Sequence, residues 1–229
     1  MDFVISRAIV LVSGGMDSLI TASVASSEND EVYFLHVNYG QRTEQKELES
    51  FHKICDYYQP KGKKVTAIDY IKDFGGNSLT DTSLEIPSAK ASSPLPNTYV
   101  PFRNGSLISI ACAWAEVIDA NKIYIGAVEV DGSGYPDCRS VFFRALETAL
   151  NYGTKVDFKV EIKTPLIALK KSEIVLLGAK LDTPFELSWS CYRDNYRACG
   201  ECDSCYLRLK AFKEAGLTDP IPYKSEVVL

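Results

Sequence analysis

The sequence predicts an α/β fold, in which a doubly wound, mainly parallel sheet carries a small four-cysteine segment at its C-terminal end. Three observations predict it. Short apolar runs alternate with helical patterns along most of the 229 residues, the first run is continuous from Ala8 to Val12, and four of the seven cysteines follow residue 190. A continuous apolar run is typical of a strand that is buried on both faces of a parallel sheet.

The elements follow from the spacing of the apolar residues. We expect strands at 8–12, 31–37, 64–69, 122–127 and 158–163, with helices at 18–25, 45–57, 105–117, 140–151 and 171–181. The helix at 105–117 is apolar nearly all round, which predicts that it is buried. In folds of this class, ligands lie at the carboxyl ends of the strands, so polar residues at those positions are candidate site residues.

Two stretches interrupt the alternation. Residues 73–97 lack a clear period and contain GGNS and LPN, which predicts either an ordered substrate loop or a mobile lid. The cysteine-rich tail is the second, so we expect a main α/β domain over 1–187 and a C-terminal segment over 188–229 that packs on it.

The composition limits the function classes. With 25 basic and 30 acidic residues the formal net charge is −5, which disfavours direct binding of a nucleic-acid backbone. The N-terminus lacks the pattern of an export signal and no run approaches the ~18 apolar residues of a membrane helix, so we expect a cytoplasmic protein without membrane contact. In that compartment thiols stay reduced, and grouped cysteines indicate a metal site rather than disulfides.

A glycine turn follows the first strand and has the sequence Ser13-Gly14-Gly15-Met16-Asp17-Ser18. Glycines allow the backbone to approach a ligand closely, and the amides at the start of a helix favour an anion. We expect this turn, together with Val12 before it, to bind phosphate, with Asp17 holding Mg²⁺ or bonding within the loop. No lysine follows the glycines, so this is not a Walker A loop. The competing interpretation is an ordinary turn in which Asp17 or Ser18 caps the helix.

The tail carries the pattern C-x7-C-x2-C-x2-C, formed by Cys191, Cys199, Cys202 and Cys205. Four thiolates complete a tetrahedral zinc shell without an open position, which predicts a structural site with one Zn²⁺ per chain. Iron–sulfur clusters also use four thiolates, so an iron site is the competing prediction.

Further polar groups follow a strand or precede a helix, and all are expected to converge on one crevice. They lie in Y-G-Q-R after the second strand, R-N before the buried helix, G-Y-P-D-C-R after the fourth strand, and K-S-E-I at the last helix; the candidates are Tyr39, Gln41, Arg103, Asn104, Asp137, Arg139 and Lys171. Cys138, which lies between two of them, is expected to be a packing residue rather than a nucleophile.

Two levels of resemblance rest on these motifs. SGGMDS resembles the fingerprint of the PP-loop ATP pyrophosphatases, which implies an adenine nucleotide alpha-hydrolase-like, Rossmann-like fold. YGQR, VPFRN, GYPDCR, PL with KSEI, and SCY with CGECDSC together resemble the 7-cyano-7-deazaguanine synthase family from about Ile9 to Phe212. The departures from the expected pattern, such as Leu19 after SGGMDS and Thr43 after YGQR, remove none of these motifs.

The family resemblance implies an ATP-dependent C–N ligase of queuosine biosynthesis, which converts 7-carboxy-7-deazaguanine and ammonia into the nitrile through an adenylated acid and an adenylated amide. It also implies a homodimer. In this reaction Lys171 is expected to stabilise phosphate charge, and Arg103 and Asn104 to contact ATP or the base. Asp137 is expected to accept from the N–H edge of the base, and Arg139 to bind its carboxylate.

Three rival functions stay open at this point. A PP-loop enzyme that modifies tRNA is the nearest. Such an enzyme would normally need a basic surface or an RNA-binding appendage, whereas the net charge of this chain is acidic. A paralogue that transfers the deazaguanine to another acceptor is the second, and a zinc-bearing binding module with an idle nucleotide pocket is the third. The ammonia source, the metal identity and any general base do not follow from the residues.

Overall fold

The computed structural model of the protein describes residues 5–88, 95–130 and 134–224. Five parallel strands form one sheet in the order β3-β2-β1-β4-β5. They are β1 (Arg7–Leu11), β2 (Glu31–Asn38), β3 (Gly62–Ala67), β4 (Lys122–Tyr124) and β5 (Glu161–Lys163). The chain leaves β1 towards β2 on one side and places β4 on the other, so the order reverses between β1 and β4, where such sheets open a crevice.

Helices cover both faces of the sheet, which confirms the doubly wound α/β class. Seven helices lie in the described residues, namely α1 (Met16–Glu28), α2 (Glu44–Tyr58), α3 (Tyr70–Phe74), α4 (Arg103–Ile118), α5 (Ser140–Gly153), α6 (Lys171–Lys180) and α7 (Asp203–Glu214). Strand β1 shows why two layers form, because Ala8 and Val10 pack with α1 and α2 while Ile9 and Leu11 pack with α4. Alternate side chains of a strand point to opposite faces, so an apolar run needs a cover on each.

Three expectations differ from the observed elements. Strand β4 ends at Tyr124, before its predicted end at 127, because ladder pairing stops there. Strand β5 begins at Glu161, after its predicted start at 158, because its ladder partner β4 begins only at Lys122. The prediction that 105–117 is fully buried is wrong. Helix α4 is buried only on the face with Ile108 and Ala115, and Val117 is 79% exposed.

Two helices were not expected from the sequence. Helix α3 has only five residues, too few for a clear period. Helix α7 lies in the cysteine-rich tail and contains one of the four clustered cysteines, Cys205. Its Ala211 and Phe212 pack with Ile174 and Phe185, so the tail and the α6 region share one apolar cluster.

The stretch 73–97 lies partly outside the described residues, which omit 89–94. On its described part, Ser78 donates its amide to the Asn97 carbonyl at 2.8 Å, and Asn77 is fully buried. The two ends of the stretch are therefore tied to each other and to the core. The choice between an ordered loop and a lid stays a prediction.

Candidate active site

A cavity of about 260 Å³ lies at the carboxyl ends of β1, β2 and β4, where the strand order reverses. Its floor is apolar and includes Leu11, Leu35 and Ile125. Its rim combines the glycine turn after β1, the start of α4, the start of α6 and the segment that enters the cysteine cluster. The cavity therefore joins elements from nearly the whole chain.

The glycine turn presents the open start of α1 to this cavity. Gly15 precedes the helix and no side chain caps it, so the interpretation of Asp17 or Ser18 as a capping residue is wrong. Ser13 and Ser18 bond to each other through their hydroxyls at 3.1 Å, and Ser18 donates to the Gly15 carbonyl at 2.9 Å. The uncapped amides and the helix dipole make this turn suited to an anion.

Asp17 and Lys171 form an ion pair beside the turn. The Lys171 ammonium lies 2.6 Å from Asp17 Oδ2. The other oxygen, Asp17 Oδ1, is buried and receives no hydrogen bond from any residue in the described ranges. A buried carboxylate oxygen without a donor is a suitable ligand for a hard cation such as Mg²⁺.

Gly126 brings the end of β4 into contact with the start of α1. A Cβ atom at this position would lie 2.8 Å from the Asp17 carbonyl oxygen and 3.0 Å from the Ser18 nitrogen. Only a glycine fits at this position, because any side chain would clash with the backbone of the glycine turn.

An arginine and three tyrosines form the opposite wall. The half-buried Arg103 donates from Nη1 to the Tyr39 hydroxyl at 3.0 Å, and Tyr135 and Tyr192 line the cavity near it. Burial raises the pKa of Tyr39 to about 12, so the phenol stays protonated. The wall offers one fixed cation among neutral hydroxyls.

Glu47 of α2 is a cavity residue that the sequence reasoning missed. Its Oε2 accepts from the Gln41 side-chain amide at 2.9 Å, and its Oε1 accepts from the Thr43 hydroxyl at 2.7 Å. Gln41 in turn accepts the Tyr39 backbone N–H at 2.9 Å. Gln41 and Thr43 are both buried, so the YGQRT segment acts as a frame for the Glu47 carboxylate.

The GYPDCR segment supports the start of α4. Asp137 Oδ2 accepts the Asn104 backbone N–H at 2.9 Å, and the Asn104 side chain donates to the Asp137 carbonyl at 3.0 Å. Burial raises the pKa of Asp137 above its usual value, although the Asn104 amide opposes this shift. Cys138 lines the cavity, and burial raises its pKa to about 11, which keeps it a thiol and is consistent with a packing role. The exposed Arg139 donates to the Pro136 carbonyl at 3.0 Å.

The four tail cysteines come together although they span fifteen positions of the sequence. The Sγ atoms of Cys191, Cys199, Cys202 and Cys205 all lie within 4.8 Å of one another, and those of Cys199 and Cys205 are 3.9 Å apart. Backbone amides of Arg193 and Cys199 donate to the Cys191 sulfur, as expected around thiolates. The arrangement fits a single metal ion.

Two contacts connect this cluster to the cavity. The Trp189 amide donates to the Gly14 carbonyl at 2.8 Å, and Trp189 lines the cavity. Arg208 of α7 is almost fully buried, forms a two-pronged ion pair with Asp219 at 2.7 and 2.9 Å, and donates to the Ser188 hydroxyl at 2.7 Å. The segment that carries the first cysteine is thus fixed on both sides.

Most of the residues expected from the sequence do meet in one cavity. Those that line it are Val12, Ser13, Gly15, Met16, Asp17, Ser18, Tyr39, Arg103, Asn104 and Lys171. Those that lie outside its lining are Gly14, Gln41, Asp137 and Arg139. Glu47, Gly126 and Trp189 line it without having been expected, and Tyr135 lines it although only its segment GYPDCR, and not the residue itself, was a candidate. Gly126 carried a usable signal, because it is a glycine near the end of the fourth predicted strand.

No helix within the described ranges is long and apolar enough to span a bilayer.

The family model described as queuosine biosynthesis protein QueC matches residues 7–216. The chain is 53% identical over 219 residues to 7-cyano-7-deazaguanine synthase of Chloroherpeton thalassium, covering 95% of this chain and 97% of that protein. It is 52% identical to 7-cyano-7-deazaguanine synthase of Chlorobium phaeobacteroides strain DSM 266, with the same coverage.

Among solved structures, a 4-thiouridine synthetase in complex with RNA and bound ATP matches with a TM-score of 0.50 and 19% identity. The match covers 80% of this chain and 42% of that one. At this identity the likeness concerns the fold alone, and it agrees with the parallel sheet described above.

Proposed function

Because the chain belongs to the QueC family of queuosine biosynthesis proteins, we propose that it is an ATP-dependent ligase that converts 7-carboxy-7-deazaguanine and ammonia into 7-cyano-7-deazaguanine. The observation that carries this proposal is the cavity itself. It unites the glycine turn, the Asp17–Lys171 pair and Arg103 at the reversal point of the sheet, in a chain about half identical to named synthases over nearly its full length.

The reaction explains why ATP is needed. A carboxylate conjugated to an electron-rich ring is a poor electrophile, and oxide is a poor leaving group. Attack of the carboxylate oxygen on the α-phosphorus gives an acyl adenylate and releases pyrophosphate, after which ammonia displaces AMP to give the amide. A second activation, now at the amide oxygen, allows elimination of AMP and formation of the nitrile. Both substrates present an oxygen on the same carbon, so one site serves both steps.

The glycine turn is the proposed pyrophosphate site. Ser13, Gly14, Gly15 and the amides of Met16, Asp17 and Ser18 would hold the outer phosphates, with Val12 beneath them. Asp17 would hold Mg²⁺ through its unpartnered oxygen, and the ion would screen phosphate charge. Lys171 would stabilise the charge that builds on the leaving pyrophosphate.

The opposite wall is the proposed site for adenosine and the acid. Tyr39, Arg103 and Asn104 would contact ATP or the base, with Gln41 acting through the YGQRT frame. Asp137 and Arg139 stay predicted substrate contacts. They are tested by Asp137→Asn and Arg139→Ala, because kcat/KM near that of the unchanged protein in both variants would remove them from the site.

We propose zinc for the cysteine cluster. A tetrahedral shell with Zn–S bonds of about 2.3 Å separates its sulfurs by roughly 3.8 Å, close to the 3.9 Å between Cys199 and Cys205. An iron–sulfur cluster places several metal atoms between its thiolates and needs a wider spacing. The cysteines would hold the ion and take no part in the reaction.

The proposal has further features, of which only the homodimer rests on the family resemblance. The protein would act as a homodimer in the cytoplasm, and its nitrogen would come from free ammonia or from a partner protein. Its substrates would be small molecules, without direct contact to a nucleic acid.

Mass spectrometry tests the proposed reaction directly. We expect incubation with ATP, Mg²⁺, ammonium and 7-carboxy-7-deazaguanine to give the nitrile together with AMP and pyrophosphate. Omission of ammonium is the control and should leave no amide or nitrile. Consumption of ATP without any change in the deazaguanine, or release of ADP, would overturn the proposal.

A further inference from the structure

The cavity needs a group that recognises the base of its substrate. Three carboxylates line the cavity within the described residues: Asp17, Glu47 and Asp203. Asp17 is paired with Lys171 beside the phosphate turn, and Asp203 begins α7 next to the cysteine cluster. Glu47 forms no ion pair with any residue in those ranges, and it lines the cavity together with Tyr39.

The carboxylate of Glu47 is held in a fixed plane. Gln41 and Thr43 each donate one hydrogen bond to a different oxygen of it, and both are buried and thereby fixed themselves. A carboxylate oxygen accepts more than one hydrogen bond, so each oxygen of this cavity-lining residue keeps acceptor capacity beyond these two bonds. The result is a pre-oriented pair of acceptors with a negative charge.

A guanine-type ring offers the matching pair of donors. Its ring N1–H and its 2-amino group point in the same direction and meet a carboxylate with two parallel hydrogen bonds. The adenine ring of ATP presents one amino donor beside a ring acceptor, and that acceptor would face a carboxylate oxygen. The acceptor pair at Glu47 therefore distinguishes the deazaguanine from the nucleotide.

We propose that Glu47 determines base specificity by binding the N1–H and 2-amino edge of the 7-deazaguanine acid, with Gln41 and Thr43 as positioning residues. The inference rests on the proposed function. It gives Glu47 the role that the GYPDCR motif predicts for Asp137, whose carboxylate instead accepts the Asn104 amide outside the cavity lining.

The charges along the wall agree with this orientation. Tyr39 touches Arg103 through its hydroxyl and the Glu47 frame through its backbone, so a cation and an anion flank one residue. The deazaguanine acid has the same polarity, with a carboxylate at one end and N–H donors at the other.

The test compares the proposed substrate, 7-carboxy-7-deazaguanine, with 7-carboxy-7-deazahypoxanthine, an analogue that lacks the 2-amino group. Kinetics and calorimetric binding are measured for both compounds in the holoenzyme and in Glu47→Gln. We expect the unchanged protein to prefer the 2-amino compound by roughly 10- to 100-fold, as for a hydrogen bond to a charged group. Glu47→Gln should reduce this ratio to near one and leave the KM for ATP unchanged.

Two variants act as controls. Asp56→Asn makes the same acid-to-amide change at the exposed end of α2 and should keep the full ratio. Thr43→Val removes one positioning bond and should give an intermediate ratio, a readout that a purely structural role would not move. It also replaces Glu47→Gln should that variant fail to fold.

The outcomes separate the two proposals. Suppose that the unchanged protein binds and converts 7-carboxy-7-deazaguanine, but Glu47→Gln, or Thr43→Val if only that variant folds, keeps the full preference for this compound over 7-carboxy-7-deazahypoxanthine. This result would overturn the role of Glu47 and leave the proposed reaction standing. A raised KM for ATP with the ratio intact would also overturn it, because Glu47 would then act on the nucleotide. Neither binding nor turnover of the acid by the unchanged protein would overturn the proposed function and the inference with it.

Discussion

At the scale of single residues, Lys171 and Asp17 bring one charge of each sign to the glycine turn. They are 154 positions apart in sequence, and their side chains are mostly buried. A lysine at the start of a helix would usually be a solvated residue. Its contact with the turn after β1 makes a role in the reaction the better explanation.

Replacement of Lys171 by methionine should lower kcat/KM by about 10²- to 10³-fold, because it removes a fixed charge next to the departing pyrophosphate. Pyrophosphate release measures the effect. Lys180→Met, at the exposed end of the same helix, is the matched control. Activity of Lys171→Met within about threefold of that control would contradict the role, since three-fold is far below the expected loss.

Asp219 is the second residue at this scale, because its carboxylate pairs with a buried guanidinium. It is 3% exposed and neutralises the buried Arg208 guanidinium. Asp219→Ala should lower the free energy of unfolding by about 3–5 kcal/mol, because it leaves a buried charge without its partner.

Urea denaturation of the metal-loaded protein measures this change. The control is Glu214→Ala, which breaks the exposed Lys210–Glu214 pair on the same helix and should cost only about 0.2–0.5 kcal/mol. Equal losses in the two variants would show that burial does not govern the Arg208 pair.

At the scale of elements, the end of β4 and the start of α1 are in direct backbone contact at Gly126. Gly126→Ala should push the glycine turn outwards, because the new methyl group would lie 2.8 Å from the Asp17 backbone oxygen, which cannot rotate away. A displacement of this kind is expected to lower kcat/KM by about 10²-fold. Steady-state kinetics check it.

Gly153→Ala is the control for that change, since a Cβ atom there meets nothing within 4 Å. We expect it to keep activity, because an alanine favours a helix more than a glycine does. Equal kinetics for the two alanine variants would mean that the turn tolerates the shift.

The first turn of helix α7 contains Cys205, one of the four cysteines proposed to bind the metal. Cys205→Ser should reduce bound metal from about one ion per chain to nearly none and lower the melting temperature, because three thiolates do not close the shell. Elemental analysis and thermal denaturation measure both. Cys112→Ser changes a buried cysteine of α4 and should retain the metal. Full metal content in Cys205→Ser would contradict the four-cysteine site.

At the scale of the whole molecule, periodicity and motifs predicted the sheet and its cover, but not every residue of the cavity. Apolar runs revealed β1 and β2 because strands that are covered on both faces must be apolar on both. The glycine turn was visible because SGGMDS lies between two such elements. Glu47 could not be identified from the sequence, because it is one of four acidic residues of α2 and is distinguished only by its contacts with Gln41 and Thr43.

The same reasoning explains why Asp137 and Arg139 were expected inside the cavity. Their motif follows β4, which places it near the carboxyl edge of the sheet, but local spacing does not say which side chains turn inwards. The 3₁₀ turn Pro136–Cys138 directs Asp137 to the start of α4 and brings Cys138 to the cavity.

The hydrogen bond between Trp189 and Gly14 has a consequence for the molecule as a whole. It joins the backbone two residues before Cys191 to Gly14 of the glycine turn, so order at one site favours order at the other. Such coupling is reciprocal by thermodynamic necessity: if the metal strengthens nucleotide binding, the nucleotide must retain the metal by the same factor. We therefore expect ATP with Mg²⁺ to slow the removal of zinc by a chelator, followed with a colorimetric zinc dye, while AMP, which lacks the outer phosphates, should protect far less. In a cell short of zinc, the protein molecules with bound nucleotide would then lose their metal ion last.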